Sequence, residues 1–137
     1  ILFITHKHHD HLAEIKKFDK TRIIYPENTE HGQKTSLLSG DQLTTLDVSG
    51  HANPARAYYY EGLGTPVCIV GDSVFAGSMG KSPDKMRYKQ AMKTARENLM
   101  SLPPATILCP GHGPMTTIAL EQKHNAFLAE TNITSES

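Results

Sequence analysis

The sequence predicts a layered α/β domain in which helices cover a sheet. Short runs of β-prone residues alternate with helical patterns along the chain, which is the element order of such a fold. The 137 residues suit one domain rather than two. An apolar content of 38% with 20% charged residues can build a hydrophobic core and is unlike that of a disordered segment. We therefore treat residues 1–137 as a single domain.

Six segments have the alternating or continuously apolar pattern of short strands. They are residues 1–4, 22–25, 43–48, 57–60, 67–70 and 106–109. The loop Gly62-Leu63-Gly64-Thr65 between the fourth and fifth segments predicts a hairpin. Residues 27–36 are polar and rich in turn formers, so they predict a loop.

Three segments predict helices. Residues 12–18 form a short one with Leu12, Ile15 and Phe18 facing inward. Residues 83–102 carry an apolar stripe at spacings of three and four and end before two prolines. The stripe consists of Tyr88, Met92, Ala95, Leu99 and Leu102. Residues 117–130 predict a closing helix, and 131–137 predict a frayed polar tail.

Composition and charge exclude several functional classes. The chain has 14 Lys and Arg against 14 Asp and Glu, which argues against a nucleic-acid surface or a polybasic membrane patch. Apolar runs such as residues 66–70 are far shorter than the roughly 20 residues of a membrane span. Cys68 and Cys109 lie in strand-like runs and predict buried thiols rather than a disulfide. We expect a cytoplasmic protein with a small-molecule partner; the sequence does not specify an oligomeric state.

The chain opens directly on the apolar run 1–4, a pattern typical of a buried strand flanked by other structure. A polypeptide terminus is usually polar and exposed. We therefore expect an N-terminal portion of the intact protein to precede this sequence, together with any targeting signal.

Metal-ligating residue types are concentrated near the start of the sequence. Four of the eight His residues lie within Thr5-His6-Lys7-His8-His9-Asp10-His11. Because side chains two apart in an extended loop point the same way, His6 and His8 can hold one cation while Asp10 and His11 reach another. Imidazole and carboxylate ligands of this kind suit zinc, iron or manganese.

Three further candidate ligands each follow a predicted strand. His51 lies in Ser49-Gly50-His51, Asp72 in Val70-Gly71-Asp72, and His112 in Pro110-Gly111-His112-Gly113-Pro114. Loops at strand ends can bring distant residues to one rim, and small neighbours let the backbone approach a metal. Together with the first cluster, these residues make two groups of three ligands and leave Asp72 as a carboxylate able to bridge two ions.

In this order and spacing, the motifs His-x-His-x-Asp-His, Ser-Gly-His, Gly-Asp-Ser-Val-Phe and Pro-Gly-His-Gly-Pro resemble the metallo-β-lactamase superfamily. Residues 71–81 and 110–117 are most similar to its glyoxalase II-like hydrolases. The resemblance runs from residue 5 to about residue 128. It implies an αββα sandwich, of which this chain would supply the C-terminal two-thirds and lack the N-terminal strands.

The resemblance also implies two divalent metal ions, with zinc as the first choice and iron or manganese as alternatives. The implied ligands are His6, His8 and His51 for the first ion, Asp10, His11 and His112 for the second, and Asp72 as the bridge. Asp10 and Asp72 are then the candidate catalytic carboxylates. Two such ions can activate a shared hydroxide, which implies a metallohydrolase that cleaves a thioester or ester.

The resemblance gives less information about the substrate. Lys81 matches the position at which glyoxalase II-like enzymes hold the glycine carboxylate of glutathione, so we assign it to substrate binding. Glutathione-binding members carry a further C-terminal helical region, whereas only 25 residues follow His112 here. The segment Ser49-Gly50-His51-Ala52-Asn53-Pro54 also replaces the usual Pro-Gly-His-Thr-Pro-Gly. The loop beside the first metal is therefore expected to differ in shape.

Three alternatives share most of these ligands. A persulfide dioxygenase-like enzyme would hold a single iron through His6, His51 and Asp72. A lactonase-like hydrolase would keep both metals and differ in its pocket. A truncated metal-binding domain without activity is the non-enzymatic alternative. A β-lactamase is less favoured, because the bridging Asp72 is a feature of the glyoxalase II-like hydrolases.

Overall fold

The computed structural model describes residues 1–129 and confirms the layered α/β arrangement. The strands are β1 (Leu2–Phe3), β2 (Ile23–Ile24), β3 (Lys34–Ser36), β4 (Gln42–Asp47), β5 (Arg56–Tyr60), β6 (Val67–Gly71), β7 (Ile107–Pro110) and β8 (Thr116–Thr117). The α-helices are α1 (His9–Leu12), α2 (Lys85–Thr94) and α3 (Ile118–His124). Short 3₁₀-helices span Ile15–Phe18 and Pro26–Asn28, and a π-helical turn, Ala95–Leu99, follows α2.

Strands β3 to β8 form one mixed sheet in sequence order. The pairs β3·β4, β4·β5, β5·β6 and β7·β8 are antiparallel, whereas β6 and β7 are parallel. The predicted hairpin is the β5·β6 pair. The parallel pair β1·β2 forms a separate two-stranded sheet.

The hydrophobic core lies between one face of the large sheet and the helical layer. Cys68 and Val70 of β6 and Leu108 of β7 are buried against Ala95 and Leu99 of the π-helical turn. Ile118 of α3 is also part of this core. Burial of these apolar side chains is the main force that holds α2 and α3 on the sheet. Both cysteines are free, with Cys68 buried and Cys109 half-buried.

The opposite face of β5 receives the small β1·β2 sheet. The Phe3 and Tyr58 rings lie 5.1 Å apart, and the Tyr58 hydroxyl donates to the Ile4 carbonyl at 2.6 Å. The Arg56 backbone N–H donates to the Thr5 carbonyl at 2.8 Å. These contacts fix the chain immediately before the His-rich segment.

In residues 1–129, none of the helices has the length and apolarity needed to cross a membrane.

Several predicted elements differ from the observed ones. The first helix begins at His9 rather than Leu12, and Phe18, predicted to face inward, is 40% exposed. The segment predicted as a loop contains β3, an edge strand that its polar sequence did not indicate because neither of its faces is apolar. The long helix becomes a π-helical turn after Thr94. The closing helix ends at His124, and the predicted tail, 131–137, lies outside the described residues.

A buried carboxylate joins α3 to the loop that follows β6. Glu121 is 3% exposed and accepts hydrogen bonds from the Gly77 N–H at 2.7 Å and the Thr116 hydroxyl at 2.6 Å. The Asn125 amide donates to Glu121 and to the Ser78 carbonyl, at 3.0 Å in each case. This network satisfies polar groups that burial has removed from water, and it holds residues 77 and 78 in place.

Replacing Glu121 with Ala should lower the free energy of unfolding by about 1–3 kcal/mol, because the buried Thr116 hydroxyl and the Gly77 N–H would lose their acceptor. Urea denaturation followed by circular dichroism measures the change. Glu97→Ala removes an exposed carboxylate from the π-helical turn and is the matched control; its effect should stay within about 0.5 kcal/mol. Equal losses in the two variants would contradict the structural role of Glu121.

Candidate metal centre

The sheet topology brings the predicted ligands to one edge. Because β4 and β6 are both antiparallel to β5, they run in the same direction, and β7 runs parallel to β6. The carboxyl ends of β4, β6 and β7 therefore meet at one edge, and the loops that follow them carry His51, Asp72 and His112. The N-terminus of β5 lies at the same edge, where Arg56 binds the Thr5 carbonyl and so places His6 there.

The His-rich segment contributes in two conformations. His8 is extended, with φ −78° and ψ 150°, and immediately precedes α1. Asp10 and His11 lie within this single helical turn rather than in the extended loop that the spacing suggested. The helical turn directs Asp10 and His11 toward His112 and Asp72, whereas the extended part directs His6 and His8 toward His51.

Four imidazole rings surround one buried carboxylate oxygen. The Asp72 Oδ2 atom lies 3.1 Å from His11 Nε2, 3.4 Å from His51 Nε2, and 3.6 Å from both His6 Nε2 and His112 Nε2. The side chains of Asp72 and His6 are 6% and 1% exposed, whereas that of His112 is 56% exposed. The carboxylate thus lies at the bottom of the cluster, and the His112 side is open to solvent.

The ligand atoms fall into two groups that share Asp72. One group is His6, His8, His51 and Asp72, and the other is Asp10, His11, Asp72 and His112. Within each group the atoms lie within 4.8 Å of one another. His51 Nε2 is 3.1 Å from His8 Nδ1, and His112 Nε2 is 3.0 Å from Asp10 Oδ2. The structure therefore brings together all seven residues that the sequence singles out, in two groups that share Asp72. Their role as metal ligands stays a prediction.

The spacing of these atoms fits divalent cations. Ligand atoms about 2.0–2.2 Å from a tetrahedral ion lie roughly 3.3–3.6 Å from one another, and the distances around Asp72 are of this size. In the described part of the chain, His6 Nε2 and Asp72 Oδ1 are buried without a hydrogen-bond partner. A buried polar atom without a partner is costly, and a bound cation supplies the missing partner.

Two glycines make the close approach possible. A Cβ atom on Gly111 would lie 2.5 Å from Asp72 Oδ1 and 2.5 Å from His11 Cε1. A Cβ atom on Gly80 would lie 2.0 Å from the Asp72 carbonyl oxygen and 2.9 Å from His51 Nδ1. Any larger residue at either position would displace a candidate ligand.

Hydrogen bonding and burial keep the rings in a ligating form. The Lys81 carbonyl can only accept, so His51 Nδ1 carries the proton and His51 Nε2 keeps its lone pair. Burial, with help from the neighbouring His11, lowers the pKa of His6 from 6.5 to about 4, so this ring is neutral at pH 7. Desolvation opposes ionisation of Asp10, but His11 and His112 outweigh it and lower the pKa of this carboxyl.

Lys81, the predicted substrate residue, is exposed. It lines a pocket of about 340 Å³ with Tyr88 and Phe127, and this pocket contains none of the candidate ligands. Its backbone carbonyl, rather than its side chain, contacts the candidate ligands, through His51. His31, which the sequence analysis did not assign as a ligand, accepts a hydrogen bond from the Asp47 backbone N–H at 3.1 Å.

The sequence did not indicate the residues that hold the ligands in place. Arg56 forms an ion pair with Asp47 at 2.8 Å and binds the Thr29 carbonyl at 3.2 Å, which braces the start of β5. Glu121 braces the loop after Asp72 through Gly77. The available signal was helical spacing, since Glu121 lies three residues after Ile118 and four before Asn125 on the buried face of α3.

Comparison with curated proteins supports the sequence resemblance. The chain is 30% identical over 126 residues to a hydroxyacylglutathione hydrolase from Pseudomonas savastanoi pv. phaseolicola, covering 81% of this chain and 46% of the relative. It is 33% identical over 101 residues to the probable metallo-hydrolase YqgX of Bacillus subtilis, covering 67% of this chain and 47% of the relative. The chain thus spans about half the length of these relatives. No protein-family model matches the sequence.

Solved structures share the fold. The BLEG-1 B3 metallo-β-lactamase superposes with a TM-score of 0.77 at 23% identity, covering 92% of this chain and 75% of that one. ETHE1 from Myxococcus xanthus superposes with a TM-score of 0.76 at 22% identity, covering 93% of this chain and 61% of that one. TTHA1623 in a di-iron-bound form superposes with a TM-score of 0.69 at 23% identity, covering 92% of this chain and 76% of that one. Likeness at this identity establishes the fold alone.

The comparisons agree with the mixed sheet and with the two candidate ligand groups that share Asp72 at its edge. This chain has the metallo-β-lactamase fold and is similar in sequence to the glyoxalase II-like hydrolases.

Proposed function

We propose that the protein is a metal-dependent hydrolase of thioesters or esters that works with two divalent cations. The observation that carries this proposal is the pair of ligand groups that share Asp72. Two cations held by these groups would supply an activated water and a Lewis acid for a carbonyl oxygen, so hydrolysis would need no serine or cysteine nucleophile. Zinc is our first choice for these His and Asp ligands, with iron or manganese as alternatives.

The second ligand group favours this proposal over a single-iron site. His6, His51 and Asp72 alone would suffice for one ion, as in the dioxygenase-like alternative. Asp10, His11 and His112 would then have no role, although they converge on Asp72 from two separate segments. The lowered pKa of Asp10 also keeps that carboxylate ionised and available as a ligand.

The chain's own residues define where a substrate can approach. His6 and Asp72 close the bottom of the cluster, while His8, Asp10 and His112 are exposed at its rim. A substrate carbonyl would therefore reach the site from the rim. On this proposal, Asp10 and Asp72 hold the cations, and Lys81 binds an anionic group of a thioester from the neighbouring pocket.

The metal-loaded protein should contain two divalent ions per chain and hydrolyse S-D-lactoylglutathione to D-lactate and glutathione. Metal analysis by mass spectrometry and a thiol-release assay measure the two quantities. One iron per chain with production of sulfite from a glutathione persulfide would instead support the dioxygenase-like alternative. Bound metal with neither activity, on thioesters or on lactones, would overturn the hydrolase proposal.

Asp72→Ala should abolish hydrolysis and lower metal occupancy in both ligand groups, because both use this carboxylate. His51→Ala and His112→Ala are the matched controls, since each belongs to one group and should leave the other occupied. Metal-to-protein ratios after dialysis distinguish the three variants. Full activity in Asp72→Ala would contradict the bridging assignment.

Lys81→Ala should raise KM for an anionic thioester more than it lowers kcat, as expected when uniform substrate binding is lost. Because an exposed ion pair is worth up to about 1 kcal/mol, the rise should be roughly two- to fivefold. Lys34→Ala, on the edge strand β3, is the control and should leave KM unchanged. An unchanged KM in Lys81→Ala would remove its side chain from substrate binding.

A further inference from the structure

A second pocket, distinct from the one that Lys81 lines, opens directly on the metal cluster. It has a volume of about 310 Å³, and His8 and His51 form part of its wall. The remaining wall includes Asn53, Lys7 and Arg87. A small group bound here would lie beside the His8 and His51 rings of the first ligand group.

The position of Arg87 follows from the packing of α2 on the loop between β4 and β5. The helix touches this loop so closely at Ala91 that a Cβ atom on Gly50 would lie 2.3 Å from the Ala91 Cα. The Thr94 hydroxyl donates to the Ser49 carbonyl at 2.9 Å. Arg87 precedes Ala91 by four residues and therefore lies on the same helical face. Arg87 thereby lines the same pocket as His51 and Asn53.

Two cationic side chains line this pocket, Lys7 and Arg87. Within residues 1–129, Arg87 has no acidic partner that compensates its charge. Its Nε atom is buried and forms no hydrogen bond there. Asp84, the nearest acidic residue in sequence, instead caps α2 by accepting from the Arg87 backbone N–H at 2.8 Å. By contrast, Lys7 is paired with Glu27 and lies 4.9 Å above the Tyr25 ring. Because Arg87 lines the pocket and is itself only partly exposed, an anionic ligand bound there would compensate its charge.

We propose that Arg87, together with the Asn53 amide, binds a carboxylate of the substrate on the His8 and His51 side of the cluster. A guanidinium group offers two parallel donors that match a carboxylate, and partial burial strengthens the interaction. The inference rests on the proposed hydrolase function and deepens it, because it makes substrates with a carboxylate near the scissile bond the preferred class. Arg87 is thus a specificity residue rather than a metal ligand.

The test compares two thioesters that share an acyl group: S-acetyl-3-mercaptopropionate, which is anionic, and S-acetyl-N-acetylcysteamine, which is neutral. Arg87→Gln should raise KM for the anionic thioester about tenfold or more, since a hydrogen-bonded charge pair contributes this much. The kcat for that thioester, and both constants for the neutral one, should stay unchanged. Arg87→Lys should recover part of the loss, because it keeps the charge without the paired donors.

Lys89→Gln is the control, since Lys89 is exposed on the same helix and lines a different pocket. It should leave both thioesters unaffected. Equal changes for the anionic and neutral thioesters in Arg87→Gln would indicate a structural effect and overturn the inference, as would an unchanged KM.

A binding measurement separates failure of this inference from failure of the proposed function. Calorimetric titration of the metal-loaded protein with 3-(ethylthio)propanoate, a thioether that cannot be hydrolysed, should show binding that Arg87→Gln abolishes. The corresponding primary amide should bind neither protein. Arg87-dependent binding without turnover of any thioester or ester would overturn the hydrolase and keep the anion pocket. Turnover of a thioester or ester without Arg87-dependent binding would keep the hydrolase proposal and overturn the Arg87 inference.

Discussion

A buried carboxylate faced by four imidazole rings is the constraint on which the rest of this structure depends. Asp72 has almost no contact with solvent, and its Oδ2 atom has four ring nitrogens within 3.6 Å. Such a group is stable only when positive charge compensates it. Divalent cations bound here would satisfy this requirement and would at the same time be coordinated by the lone pairs of the rings. Cations bound to this carboxylate would also explain why the other six candidate ligands converge on it.

The scaffold around the cluster is organised to resist movement of these ligands. The sheet holds His51, Asp72 and His112 at the ends of strands that run in one direction. Two polar side chains then hold the loops in place. The partly buried Arg56 fixes the start of β5, and the buried Glu121 fixes the loop that leads from Asp72 to Lys81. The Lys81 carbonyl in turn orients His51. Ligand geometry is therefore maintained by groups outside the cluster, as metal sites generally require.

Charge around the cluster is distributed unevenly, although the chain as a whole is neutral. The helix α2 places cationic side chains near two pockets, Arg87 beside the His8 and His51 rings and Lys85 in the pocket that Lys81 lines. An anionic substrate would meet Lys81 and Lys85, with Asp84 beside them, in one pocket and Arg87 in the other. Long-range attraction of this kind raises the local concentration of anions without changing the reaction itself.

The sequence by itself determined the layered fold, most strand positions and the identity of the clustered His and Asp residues. These are local properties, because apolar alternation and motif spacing are written in consecutive residues. Only the tertiary structure decided that β3 is a strand and that Asp10 and His11 lie on a helical turn. It also decided that Arg87 lines the pocket beside His8 and His51, and that Glu121 braces the loop after Asp72. Two of these depend on a partner distant in sequence: the Gly50 loop packs against α2, and Gly77 binds Glu121. Strand β3 instead depends on pairing with β4, the next strand along the chain. A linear pattern cannot specify such partners, because only folding determines which buried polar groups meet.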